Sequence, residues 1–249
     1  MEESPLHAFE LHDLIPLVPA GVDISINKAV ILMWVIVGLV AFLMISAAAA
    51  RKLVPGKLQN MAELIVEFIR GIILDTMGEP GMKCFPLIAT LFLFILFANL
   101  IGLIPGSYTV TSQIIVTAVF AVGVYGLSIV LGFSLHGMKF LGILVPPGTP
   151  GWLLPLMIPI ELISQLARPI SLAVRLFANM TAGHVILGVL FGLAISGGLL
   201  IGWLPFVFTI AMNGLEVGIA FIQAYIFTVL SCVYLGDAVT LHGHSEHAH

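Results

Sequence analysis

Charge is what this chain has least of. Only 9% of its 249 residues are Asp, Glu, Lys or Arg, while 60% are hydrophobic. An ordinary soluble domain keeps itself in water with roughly 25% charged residues, so a water-soluble globule is excluded. The shortage is concentrated in runs. No charged residue occurs from Ala29 to Ala50 (22 residues), from Cys84 to Met138 (55) or from Phe140 to Ile160 (21). About 20 apolar residues cross a bilayer core, so these runs supply one span, a pair of spans and the start of another. Cysteine is nearly absent too. Cys84 and Cys232 lie within or at the edge of apolar segments, which suits small buried hydrophobes and not a disulfide framework. Nine basic residues, most of them near span ends, and a net charge of -4 leave no footprint for nucleic acid. The acidic N-terminus MEESPLHAFELHDLIPL lacks a basic stretch followed by a compact apolar run, so no cleaved signal peptide is expected.

Several motifs are missing as well. There is no GXXXXGK[ST] phosphate loop, so nucleotide chemistry is not expected of this chain, and no HisGluXXHis helix, which disfavours an intramembrane metalloprotease. His136 and His184 are the only histidines within the spans and stand alone, unlike paired haem ligands. No internal repeat of the kind common in secondary transporters is visible. On residue chemistry alone, an ion-coupled secondary transporter is still the alternative. No cofactor and no metal site are expected. The tail histidines His242, His244, His247 and His249 read as a solvated, weakly metal-binding segment at 239–249.

What is present reads as an all-α membrane protein with about five transmembrane helices and one amphipathic surface helix, the last two helices being long, tilted and antiparallel. An N-terminal segment (1–28) precedes a first span at 29–50. Residues 54–82 mix Lys57, Glu63, Glu67, Arg70, Asp75 and Glu79 with apolar residues at three- and four-residue spacing, which predicts an amphipathic helix lying on the membrane surface or against a partner. A transmembrane hairpin follows at 84–138, punctuated by Pro105 and Gly106. The long helix pair occupies 150–238, with Pro155, Pro159 and Pro169 as kink sites and Gly197 and Gly198 at the turn. Arg51, Lys52, Lys57, Arg70 and Lys83 fall together between the first span and the hairpin, so that segment is expected in the cytoplasm, with the N-terminus outside and the C-terminus inside.

The long pair carries Glu161, Arg168, Arg175, His184, Glu216 and Gln223 at membrane depth. An ionisable group at the bilayer centre costs at least about 2.5 to 3.5 kcal/mol, so these residues must face something other than lipid. Glu161, Arg168 and Arg175 are seven apart and share one helix face, which Asn179 extends, whereas His184 points away from it. If the two helices run antiparallel about the turn, residues whose numbers sum to about 398 to 400 lie at one depth. Glu161 is then level with Asp237, Arg175 with Gln223 and His184 with Glu216, the last layer about 13 Å from the arginine. Asn213, within the last helix, is a further polar candidate. Histidine and glutamate can each take up and release a proton near neutral pH, but arginine cannot. Titratable groups on both sides of a fixed positive charge suit two access routes separated by a gate. Arg168 itself reads as a snorkelling or packing residue.

The runs IELISQLARPISLAVRLFANMTAGH and LEVGIAFIQAYIFTVLSCVYL, with FILFANLIGLIPGSYTVTSQ in the hairpin and the N-terminal FELHDLIPL, resemble the membrane-embedded a subunits of F-type ATP synthases, of the alphaproteobacterial and mitochondrial branch. The resemblance implies a stator beside a rotating ring of c subunits, b-type peripheral stalk partners, the rest of the synthase complex, surrounding lipid, and residence in a bacterial inner membrane. It implies that Arg175 engages the ring carboxylate, that His184 and Glu216 form the outer half-channel in the order opposite to the enterobacterial one, and that Glu161 serves the cytoplasmic half-channel. Gln223 and Asn179 match polar positions near the arginine, and Asn99 a polar position of the hairpin. Gly102 stands where some members carry an acid, so that acid's role does not transfer.

Overall fold

The computed structural model describes residues 13–15, 26–49, 56–104, 113–145, 150–198 and 202–239. The apolar runs become helices because a helix satisfies its backbone N–H and C=O groups internally, a requirement wherever lipid replaces water. Five of them are long and apolar enough to cross a membrane: Lys28–Ser46, Glu79–Gly102, Ile115–Ile143, Gly151–Ser196 and Trp203–Val239.

A short antiparallel ladder of β1 (Asp13–Ile15) and β2 (Ile26–Asn27) precedes α1 (Lys28–Ala49). Asn27 starts this helix: its Oδ1 accepts the Val30 N–H at 3.2 Å, one of the donors that the first turn leaves open. The amphipathic segment forms α2 (Lys57–Met77), which buries Ala62, Ile69, Ile72, Ile73 and Met77 at helical spacing. Glu63, Glu67 and Arg70 stay exposed. The buried residues pack against three other helices of this chain, while Leu58, Leu64 and Phe68 stay exposed. A 3-10 turn, Glu79–Cys84, leads into α3 (Phe85–Gly102), and α4 (Ile114–His136) follows. Pro105 and Gly106 lie outside the described residues.

After two further 3-10 segments, Gly137–Leu144 and Gly151–Leu153, α5 (Leu154–Ser196) runs 43 residues and α6 (Trp203–Val239) runs 37. At 1.5 Å per residue these are about 65 Å and 55 Å long, roughly twice the hydrocarbon thickness, so only a strong inclination would keep them within a bilayer. Helix α5 continues through Pro159 and Pro169, while Pro155 sits in its first turn, where a missing N–H is no loss. The turn between α5 and α6 depends on glycine twice. Gly198 has φ 59, and Gly202 comes so near the Ala194 carbonyl that a Cβ would collide with it.

Helix α6 is central, touching α2, α3, α4 and α5. Ile36, Ile69, Ile73, Ile88, Ile95, Phe227 and Leu235 are among the best-buried residues of the core. Helix α5 packs chiefly on α4 and α6, which leaves one long face of it open.

Candidate functional site

The faces of α5 divide by residue type. Leu172, Ala173, Leu176, Met180 and Gly183, at three- and four-residue spacing, are buried. Arg168, Ser171, Arg175, Ala178, Asn179 and Ala182 are exposed. Arg175 therefore points out of its own bundle. Together with Arg168, Ser164, Ser171, Leu172 and Leu230 of α6 it lines an open cavity of about 370 Å³ whose lining contains no carboxylate. Arg168, expected to snorkel or pack, stands in the same cavity as Arg175. Both guanidinium groups are permanent cations, so the cavity suits an anionic group, which its described lining does not supply.

Across the pair, α6 buries Glu216 (6% exposed) and Gln223 (1%), seven residues apart on one face. Neither Glu216 oxygen has a hydrogen-bond partner among the described residues, and the same holds for Gln223 Nε2. A buried carboxylate without partners is costly. The room for it is made by Gly183: a Cβ added there would collide with Glu216 Oε1. The sum of the two numbers, 399, falls in the range that sets residues level across the pair. That range pairs Glu216 with His184 by chemistry, and nothing but the same sum singles out Gly183, which has no polar group to draw notice.

Gly183→Ala is thus expected to displace the Glu216 carboxylate while leaving the helices intact. A misplacement of about 1 Å at a reacting group costs on the order of a hundredfold in rate, so if Glu216 carries protons as the sequence resemblance implies, proton pumping should fall between about tenfold and a hundredfold. Quenching of an acridine dye in membrane vesicles measures the rate. The Gly183→Ala, Glu216→Asp double variant, whose acid is shorter by one methylene, should recover part of the loss; if both variants pump normally, Gly183 has no positioning role.

Asn99 is fully buried on α3 with both amide atoms unpartnered. Leu103, four residues on and just past the end of α3, forms a small buried apolar cluster with Met180 of α5 and Ala220 of α6. His184, next to Gly183, is half-buried and off the exposed Arg175 face. Asn179 shares the exposed face of Arg175, and Asn213 is half-buried. Farther from the turn, the half-buried Glu161 accepts a hydrogen bond from Gln165 Nε2 at 3.4 Å, and Asp237 is half-buried on α6. No group of three or more His, Cys, Asp or Glu able to hold a metal occurs among the described residues. The four tail histidines lie outside them.

The chain matches the family model described as ATP synthase A chain over residues 30–236. Among curated relatives, the ATP synthase subunit a of Rhodospirillum rubrum is 46% identical over 239 residues, covering 96% of this chain and 99% of the relative. That of Rhizobium johnstonii is 46% identical over 250 residues, covering 98% and 100%. That of Magnetococcus marinus is 48% identical over 247 residues, covering 96% and 94%. Five membrane-grade helices make the chain a multi-pass membrane protein, and a match spanning nearly all of them places it in the ATP synthase A chain family.

Proposed function

We propose that this chain is the proton-conducting stator of an F-type ATP synthase, forming two half-channels against a rotating c ring and held by b-type stalk subunits. The observation that carries this is Arg175, a permanent cation that faces away from its own bundle within a membrane-grade helix and lines a cavity without a carboxylate. Left in lipid, such a charge is heavily penalised, so a partner must bring the anion. A c-subunit carboxylate is the fitting one, because it can be neutral while crossing lipid and ionised when it meets the guanidinium.

Protons enter from the outside past Glu216 and His184, with Asn99 and Asn213 nearby, and reach a ring carboxylate. Arg175, with Asn179 and Gln223 at its level, engages each deprotonated carboxylate and blocks a direct path between the two routes, since guanidinium does not release its proton. After nearly a full turn of the ring the proton leaves toward Glu161 and Asp237. Rotation is biased because a carboxylate can ionise only where the stator supplies charge or water. The N-terminus then lies in the periplasm and the tail in the cytoplasm of a bacterial inner membrane, and ATP chemistry belongs to other subunits.

Cysteine crosslinking in the assembled complex tests this. Ala182, exposed and seven residues from Arg175, should crosslink as cysteine to the outer helix of the c ring, whereas cysteine in place of His184 should not. The reverse pattern would overturn the assignment of the ring-facing surface.

A further inference from the structure

The stator reading gives Arg175 an anion and leaves Arg168 without one. Both guanidinium groups line the open cavity on α5, and no carboxylate is among its described lining residues. Seven residues separate them, about 10.5 Å of helix rise, so a ring carboxylate that meets Arg175 stands two turns away from the backbone of Arg168. Size points the same way. At about 370 Å³ the cavity falls in the range of small-ligand sites and is far larger than one carboxyl group fills.

The lining around Arg168 has the chemistry of a phosphate site. Ser164, Arg168, Ser171 and Arg175 follow at four-, three- and four-residue spacing and so form one polar stripe along α5. A hydroxyl stands one turn to either side of Arg168, and each can donate to an oxyanion whose other oxygens meet the planar guanidinium fork. A second stripe runs beside the first. Ile160, Ile163, Ala167 and Val174, at three-, four- and seven-residue spacing, are exposed, and Ala167 also belongs to the cavity lining. At 3.6 residues per turn the two stripes point about 80° apart around the helix. An anion that carries hydrocarbon meets both stripes, whereas a bare anion meets only the polar one. In the proposed orientation Arg168 lies on the cytoplasmic side of Arg175, where basic pockets between membrane helices take lipid headgroups.

We propose that the Arg168 end of this cavity holds the phosphate of an anionic phospholipid from the cytoplasmic leaflet, with Ser164 and Ser171 donating to its oxygens and the acyl chains against the apolar stripe. The lipid neutralises a cation that is otherwise unpaired at membrane depth. Arg168, once paired, no longer competes with Arg175 for the ring carboxylate. The assignment rests on the stator reading only in reserving Arg175 for the ring. Free phosphate has the same headgroup chemistry but nothing to cover the apolar stripe. A zwitterionic lipid brings a cation of its own toward two arginines, which repel it.

The test uses the assembled synthase, washed free of native lipid in detergent, returned to phosphatidylcholine vesicles and offered a trace of photoactivatable phosphatidylglycerol. Illumination should attach the probe to α5 within 160–175, read by mass spectrometry of the digested chain. Arg168→Gln should lower that labelling by about tenfold or more, and Arg168→Lys by less, because hydrogen bonds to a charged group are lost wholly or in part. A phosphatidylcholine probe with the same photoreactive group should label this stretch only weakly. Labelling that Arg168→Gln leaves unchanged, or that both probes give equally, would overturn the site. Abolition of the phosphatidylglycerol label by millimolar inorganic phosphate would overturn the lipid as occupant and assign the site to the free anion. If Arg168→Gln fails to assemble, Ser164→Ala with Ser171→Ala decides: a fall in labelling supports the site, and full labelling overturns it. Normal ATP synthesis in Arg175→Ala would end the stator reading, whereas unchanged labelling in Arg168→Gln would end the lipid site alone.

Discussion

Replacing Arg175 with alanine is expected to abolish proton-driven ATP synthesis while the complex still assembles. The side chain lies on the exposed face of α5, away from the buried stripe that holds the helix to α4 and α6, so its removal costs the fold little. In the proposed stator, its loss leaves an ionised ring carboxylate without a counter-charge at membrane depth. On insertion scales such a charge costs about 3 kcal/mol, which corresponds to a rate loss on the order of a hundredfold. The barrier between the two routes disappears as well, so vesicles stripped of the ATP-hydrolysing sector should leak protons faster. The measurements are ATP synthesis under an imposed proton gradient, passive proton decay, and recovery of the c ring with this chain in detergent. Normal synthesis by an assembled Arg175→Ala complex would end the gate assignment. Arg175→Lys should rescue little, because an ammonium in a dry setting can give up its proton and lacks the planar fork that meets a carboxylate.

The second large effect concerns the outer pair. His184→Glu and Glu216→His, made singly, should each reduce synthesis on the order of a hundredfold, the usual contribution of one positioned acid or base. Made together they restore one imidazole and one carboxylate at the same level, and the double variant should keep distinctly more activity than either single one. Gly183 explains why the exchange is not expected to be complete. The room beside position 216 fits a carboxylate folded against a glycine, and an imidazole there must be accommodated by its neighbours. Equal loss in all three variants would show that the two residues do not act as a coupled pair.

Much of the fold is legible in the chain alone. Charge-free runs of membrane length follow directly from the cost of putting a charge in hydrocarbon, and the periodicity of α2 from the geometry of a helix with one wet side. The seven-residue spacing of Arg168 and Arg175 puts both on one face, and the face is indeed a single exposed one. The depth rule for an antiparallel pair sets residue 216 opposite the end of the RLFANMTAGH stretch, and the close approach of the Glu216 carboxylate to Gly183 agrees with it.

Other features are not legible, for reasons of packing. Sequence spacing relates residues within one helix, but says little about which neighbour covers which face. Hence the amphipathic pattern of α2 does not tell that Ile69, Ile72, Ile73 and Met77 are the apolar residues that meet other helices of this chain, while Leu64 and Phe68 stay exposed. Arg168 reads as a snorkelling residue, although it shares the Arg175 cavity. Tyr234 is one more aromatic in an apolar helix until α4 brings the ring of Tyr125 edge-on to it. The short ladder of β1 and β2 escapes notice because strands of three and two residues carry no periodic signal. The sequence by itself determined that charges sit at membrane depth and in which order, because period and hydropathy are properties of the chain alone. Only the tertiary structure decided which of them are buried, which look outward and which remain unpartnered, because those depend on contacts between helices far apart in the chain.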